Sequence, residues 1–135
     1  MRIAIVSAPA VKKQPPDYVV SLAKGMTMMG HHVDIIDAWT DDGMRLPGYE
    51  YITVVAEPIS AFSGKLQPII SKVLSAGSTL VGKKSAAFIR KSRFFTNRAL
   101  TNLMKVMEKE GMRINWSDIL LNAPHAEAMG KYIGA

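Results

Sequence analysis

The chain has 135 residues and a formal net charge of +6, with 48% hydrophobic and 21% charged residues, which suits one domain able to bury a core rather than a disordered chain. It has no cysteine, which removes disulfides, thiolate metal sites, iron–sulfur ligation and a cysteine nucleophile. The apolar run Ile3 to Val6 is too short for a signal-peptide core and no stretch approaches the ~20 apolar residues that span a bilayer, so a cytoplasmic protein without a membrane segment is expected.

Ile3-Ala4-Ile5-Val6 is the first predicted strand. A helix follows, with Asp17 as expected N-cap, Gly30 as stop, and Tyr18, Val19, Leu22, Ala23, Met26 and Met29 on one side. Val33-Asp34-Ile35-Ile36 forms a second strand, and Asp34 and Asp37, out of phase with each other, mark it as a sheet edge. Roughly a dozen residues lead on to the third strand, Tyr51 to Val55; Asp41-Asp42-Gly43 and Pro47-Gly48 break them, so a loop or one irregular turn is expected there.

A second helix carries Leu66, Ile69, Ile70, Val73 and Leu74, with Pro68 near its first turn and Gly77 as its stop. Ala86 to Ile89 forms the fourth strand, and Leu100, Leu103, Met104 and Met107 line a third helix that ends at Gly111. Ile119 to Leu121 is the fifth strand, followed by a short helix from Pro124 to about Ile133, with Met129 and Ile133 inward. The first, third and fourth strands lack clean polar alternation. Both of their faces should therefore be covered, as in a parallel sheet between helix layers.

In such a sheet the loops after the strands' C-terminal ends converge where the strand order reverses, and ligands bind there. Residues 7–16, 56–64 and 90–96 form those loops. The first holds Ser7, Lys12 and Lys13 but no glycine and three prolines, so backbone N–H donors for an anion are scarce. Lys12 and Lys13 read equally as an anion contact or as a solvated pair. In the second loop, Pro58 stiffens the turn and Phe62 either packs on the helix below or stacks on a planar ligand.

The third loop sets Arg90, Lys91 and Arg93 beside Phe94 and Phe95. With Lys12 and Lys13 these make five of the 17 Lys and Arg, so the other 12 nearly balance the 11 acids and most of the imbalance falls on one rim. Glu57 and Asp17 lie on or near that rim and weaken its field. His31 and His32 are adjacent on an extended stretch and point opposite ways, which gives no metal spacing. No G-x-G-x-x-G or G-x-x-x-x-G-K motif follows the first strand, and no serine has an evident histidine and carboxylate partner. Any redox chemistry must come from a cofactor.

Met1 to Ser7, Met29-Gly30-His31-His32-Val33-Asp34-Ile35-Ile36-Asp37, Tyr49 to Pro58, Ser63-Gly64-Lys65-Leu66 and Val81 to Phe88, in this order and spacing, resemble the flavodoxin-like family of FMN proteins over nearly the whole chain. The resemblance implies a three-layer α/β sandwich over residues 1–135 with a parallel sheet ordered 2-1-3-4-5, and FMN held by the three loops for electron or hydride transfer. Ser7 with Lys12 or Lys13 would meet the phosphate. Pro58, Ile59 and Phe62 would line one side of the ring, and Arg90, Lys91 and Phe94 would lie on the other.

The residues also depart from the family pattern. The first loop lacks its Ser, Thr and Gly richness, Pro58-Ile59 stands where Pro and often Tyr are usual, and bulky side chains fill the third loop. The expectation is a divergent FMN-type protein with flavin binding weakened or lost. The alternative is a non-enzymatic module whose basic rim of Arg90, Lys91 and Arg93 takes an anionic small molecule or an acidic partner protein. Nucleic acid is disfavoured for want of a recognition helix or RNA-binding aromatic motif. Reductases of the family often pair, which makes a homodimer a candidate state.

Overall fold

The computed structural model describes residues 1–60, 62–76 and 80–133. Five strands, β1 (Arg2–Ala8), β2 (His32–Asp37), β3 (Tyr51–Ala56), β4 (Lys84–Arg90) and β5 (Arg113–Leu120), pair in the order β2-β1-β3-β4-β5. All four pairings are parallel. Four α-helices, α1 (Asp17–Met28), α2 (Ile69–Ser75), α3 (Thr96–Lys109) and α4 (Ala123–Gly130), complete three layers.

Each face of the sheet has its own core, as β-branched strands with no polar alternation require. On one face, Ile3, Ile5, Tyr51, Val55 and Phe88 meet Tyr18, Leu22 and Met26 of α1 and Ala126 of α4. On the other, Val6, Ile52, Val54 and Ile89 meet Ile70 and Leu74 of α2 and Leu103 and Met107 of α3. Every residue of β3 is buried, as befits the central strand.

The connection between β2 and β3 holds one 3₁₀ turn, Leu46–Gly48. Leu46 and Tyr49 are buried from this loop and do the covering that a crossover helix does elsewhere. Asp34 stays on the β2 edge by accepting a 2.7 Å bond from the Tyr49 hydroxyl.

Several boundaries differ from the sequence reading, and at α1, α2, β5 and α4 the reason is visible. The N-cap of α1 is Pro16 in extended conformation, and Asp17 is the first helical residue. Pro16 supplies the capping carbonyl to Val19 and Val20 N–H, while Asp17 puts its charge at the positive end of the helix. The second helix begins only at Ile69, because Pro68 stands at its N-cap; Leu66 packs on the core from the segment before it. Gly77, the expected stop, lies outside the described residues.

The fifth strand starts six residues earlier than its apolar run, because an edge strand tolerates Arg113, Asn115 and Ser117. A register shift opposite Asn115 interrupts its pairing with β4, and the Asn115 side chain accepts the Tyr51 hydroxyl. The last helix opens at Ala123, where the Asn122 side chain caps His125 N–H, and closes at Gly130, before the buried Ile133.

Candidate functional site

The C-terminal ends of β1, β3 and β4 carry the three loops, and one residue ties them together. Glu57 follows β3 directly, and its own N–H donates to Ala8 O at the end of β1. The residue is 5% exposed, yet its side chain is surrounded by donors. Ala10 N–H donates to Oε1 at 3.0 Å, Lys13 Nζ lies 3.3 Å from both oxygens, and the Tyr18 hydroxyl donates to Oε2. Arg90 Nη1, from the end of β4, lies 3.9 Å from Oε2.

Burial would push the Glu57 carboxyl up. The Tyr18 hydroxyl, the Ala10 N–H and the charges of Lys13 and Arg90 more than offset this and hold it below the ordinary carboxylate range. Burial and the same carboxylate push the Tyr18 phenol well up. Near neutral pH the pair is therefore a fixed anion with a fixed hydroxyl donor and offers no proton for catalysis.

The loop after β1 is held from both sides. Trp39 Nε1 donates to Pro9 O at 3.0 Å, and Gln67 Nε2 donates to Ala10 O at 2.7 Å. Pro9, Pro15 and Pro16 contribute no N–H, and Ala10 spends its own on Glu57. The N–H groups left to this loop are those of the exposed stretch 11–14.

The expected site residues divide. Lys13, Pro58 and Arg90 gather around Glu57. Ser7 is buried within the sheet, paired with Asp37 and Val55. Lys12 is exposed and has no ion pair among the described residues. Phe62 and Phe94 reach across from the loops after β3 and β4 and stack, with ring centroids 5.7 Å apart and planes 28° from parallel. Ile59 is exposed.

A cleft of about 530 Å³ lies between these two loops, lined among others by Glu57, Pro58, Ile59, Arg90, Lys91 and Arg93. Among the described residues neither Lys91 nor Arg93 has a carboxylate partner; the Arg93 guanidinium sits over the Phe94 ring at 5.9 Å. A second cavity of about 460 Å³ lies where the loop after β4 meets the end of β5 and the start of α4, and Phe94, Phe95, Asp118 and His125 help line it. Phe95, at the N-cap of α3, has φ 59°, a left-handed conformation that bulky side chains seldom adopt.

Sequence reading placed Glu57 only on the rim and Tyr18 only in a helix core. The available signal was the position of Glu57: a lone acid directly behind a strand buried on both faces, fixed by the following proline.

The architecture matches known structures closely. A flavodoxin from Streptococcus pneumoniae TIGR4 superposes with a TM-score of 0.74 at 14% identity, covering 97% of this chain and 96% of that one. This is the flavodoxin-like fold. Oxidised flavodoxin 1 from Bacillus cereus gives 0.67 at 16% identity with 96% and 95% covered, and two-electron-reduced Megasphaera elsdenii flavodoxin gives 0.69 at 14% with 96% of each. No protein-family model and no curated protein matches the chain. Flavodoxin-like topology is thus preserved almost end to end while little of the flavodoxin sequence is. Among the described residues no helix is long and apolar enough to cross a membrane, and no group of three or more His, Asp or Glu could hold a metal ion.

Proposed function

We propose that this flavodoxin-fold protein has weakened or lost FMN binding and uses the cleft between the loops after β3 and β4, with its rim of Arg90, Lys91 and Arg93, to bind an anionic ligand or acidic partner. The contact between Phe62 and Phe94 carries this reading. A flavin inserted between these two rings would hold them about 7 Å apart, two van der Waals thicknesses of roughly 3.5 Å each, whereas their centroids stand 5.7 Å apart. Bulky Arg93 over Phe94 adds to the filling. Two donors of the first loop, Ala10 N–H and Lys13 Nζ, are already engaged by Glu57.

Mixing the purified protein with FMN tests this directly. Flavin fluorescence should stay unquenched and the protein colourless; a yellow protein with quenched fluorescence would overturn the proposal. The rim should reveal itself on a polyanion resin, where the triple variant R90A/K91A/R93A elutes at lower salt than the parent.

A second reading has an observation of its own. The neighbours that match over 95% or more of their length include flavodoxins solved in oxidised and two-electron-reduced forms. If this chain is likewise an FMN electron carrier, Phe62 and Phe94 must part to admit the ring, and the flavin would supply the redox chemistry. In that case F62A/F94A should change the visible spectrum of the bound flavin.

A further inference from the structure

We propose that Glu57 is the resident anion of the loop after β1: its carboxylate occupies the place a phosphate monoester would need, and so sets the specificity of the cleft against phosphorylated ligands. This deepens the reading above, because it names the class of ligand the site refuses and the residue responsible.

The donor set is that of an anion site. A backbone N–H, a lysine ammonium, a phenolic hydroxyl and an arginine guanidinium converge on one carboxylate from the loop after β1, the first turn of α1 and the end of β4. Charge-assisted bonds of this kind are what a phosphate recruits at the start of a helix in an α/β sheet. Here the anion is supplied by the chain itself.

The seat is preformed. Trp39 and Gln67 fix the carbonyls of Pro9 and Ala10, and the Glu57 backbone is bonded to Ala8, so the loop that supplies the donors and the backbone that carries the carboxylate are both anchored. A phosphate dianion brought to the same donors would stand against a buried, ionised carboxylate. Like charges at that range and in that poorly solvated setting repel strongly. Asp17, exposed in the first turn of α1, adds a further negative charge at the helix start.

The test separates charge from space. Glu57→Ser vacates the seat and leaves Ala10 N–H, Lys13, Tyr18 and Arg90 facing it; Glu57→Gln keeps its shape but removes the charge. Inorganic phosphate is the probe, read by the phosphate-dependent rise in melting temperature and by ³¹P line broadening. The parent protein should show neither. E57S should bind phosphate at least about tenfold more tightly than the parent, and the gain should vanish in E57S/K13A. If E57S does not fold without phosphate, Glu57→Ala, which also empties the seat, carries the test: phosphate should stabilise it more than it does E57Q or the parent.

Folded E57S and E57A that remain indifferent to phosphate would overturn the inference, as would a parent protein that binds phosphate as well as they do. Riboflavin and FMN distinguish this failure from failure of the proposed function. A parent that takes both flavins equally well would overturn the loss of flavin binding but leave the role of Glu57 standing. One that takes FMN at least about tenfold better than riboflavin would sink the role of Glu57.

Discussion

Glu57 keeps its charge although burial works against it, and that makes its stabilising effect pH-dependent. Its pKa in the folded protein lies below the ordinary 4.5, so the folded state holds the ionised form more firmly than the unfolded chain does. The stabilisation is complete above the unfolded value and is lost as pH falls through the lower folded one. Urea titrations should therefore show stability declining on the acid side below about pH 4.5, and E57Q should flatten that decline. Tyr18→Phe removes one donor from the buried carboxylate; it should cost about 1–3 kcal/mol and move the Glu57 pKa back up, which NMR titration of the side chain would show. At Phe95 the opposing effects nearly cancel. Glycine relieves a left-handed φ worth about 1–2 kcal/mol but gives up the half-exposed ring that lies beside Phe94 and under Arg98. F95G should unfold within about 1 kcal/mol of the parent; a much larger loss would show that the ring anchors the loop. The charges of Lys13 and Arg90 could be read in the sequence, but their common partner could not, because it lies 44 residues beyond Lys13 and depends on how β1 and β3 align.

Among the elements, α1 and α4 meet more closely than side chains allow. A Cβ at Gly25 would stand 2.1 Å from Glu127 O, and one at Gly130 would stand 2.3 Å from Leu22 O. Glycine inside a helix ordinarily costs about 0.5–1 kcal/mol relative to alanine, so at Gly25 the gain from close helix contact outweighs propensity. G25A and G130A should each destabilise the protein by about 1–3 kcal/mol, seen as a lower urea midpoint with near-unchanged helical circular dichroism. Periodicity found α1 and α3 well because long amphipathic stretches carry a repeated signal, and it found β1, β3 and β4 because buried strands are continuous apolar runs. It misjudged β5 and α2 for physical reasons. The edge strand is written largely in polar residues, and Pro68 sets where a helix can start irrespective of the apolar Leu66 before it.

Across the whole molecule, parallel pairing in the order β2-β1-β3-β4-β5 brings loops far apart in sequence to one end and gathers Lys13 and Arg90 on the same carboxylate. The net charge of +6 sets overall attraction to polyanions, while its placement decides where they dock. The triple variant R90A/K91A/R93A removes three positive charges; K105A/K109A/K131A removes the same number from exposed positions outside those loops. The first should lower the eluting salt more than the second. Equal shifts would mean that only total charge matters and would remove the rim from consideration.

Apolar runs, turn residues and the spacing of helical faces were enough to establish a parallel α/β sheet between helix layers and the end of it where the three loops converge, because those features follow from local patterns and from the rules for parallel sheets, whereas the strand order came with the resemblance to the flavodoxin-like family. Which donors Glu57 would claim, and that Phe62 would close on Phe94, were decided only by the folded chain. Both are contacts between loops whose separation is erased by strand pairing, and no local pattern in the sequence encodes the distance between them.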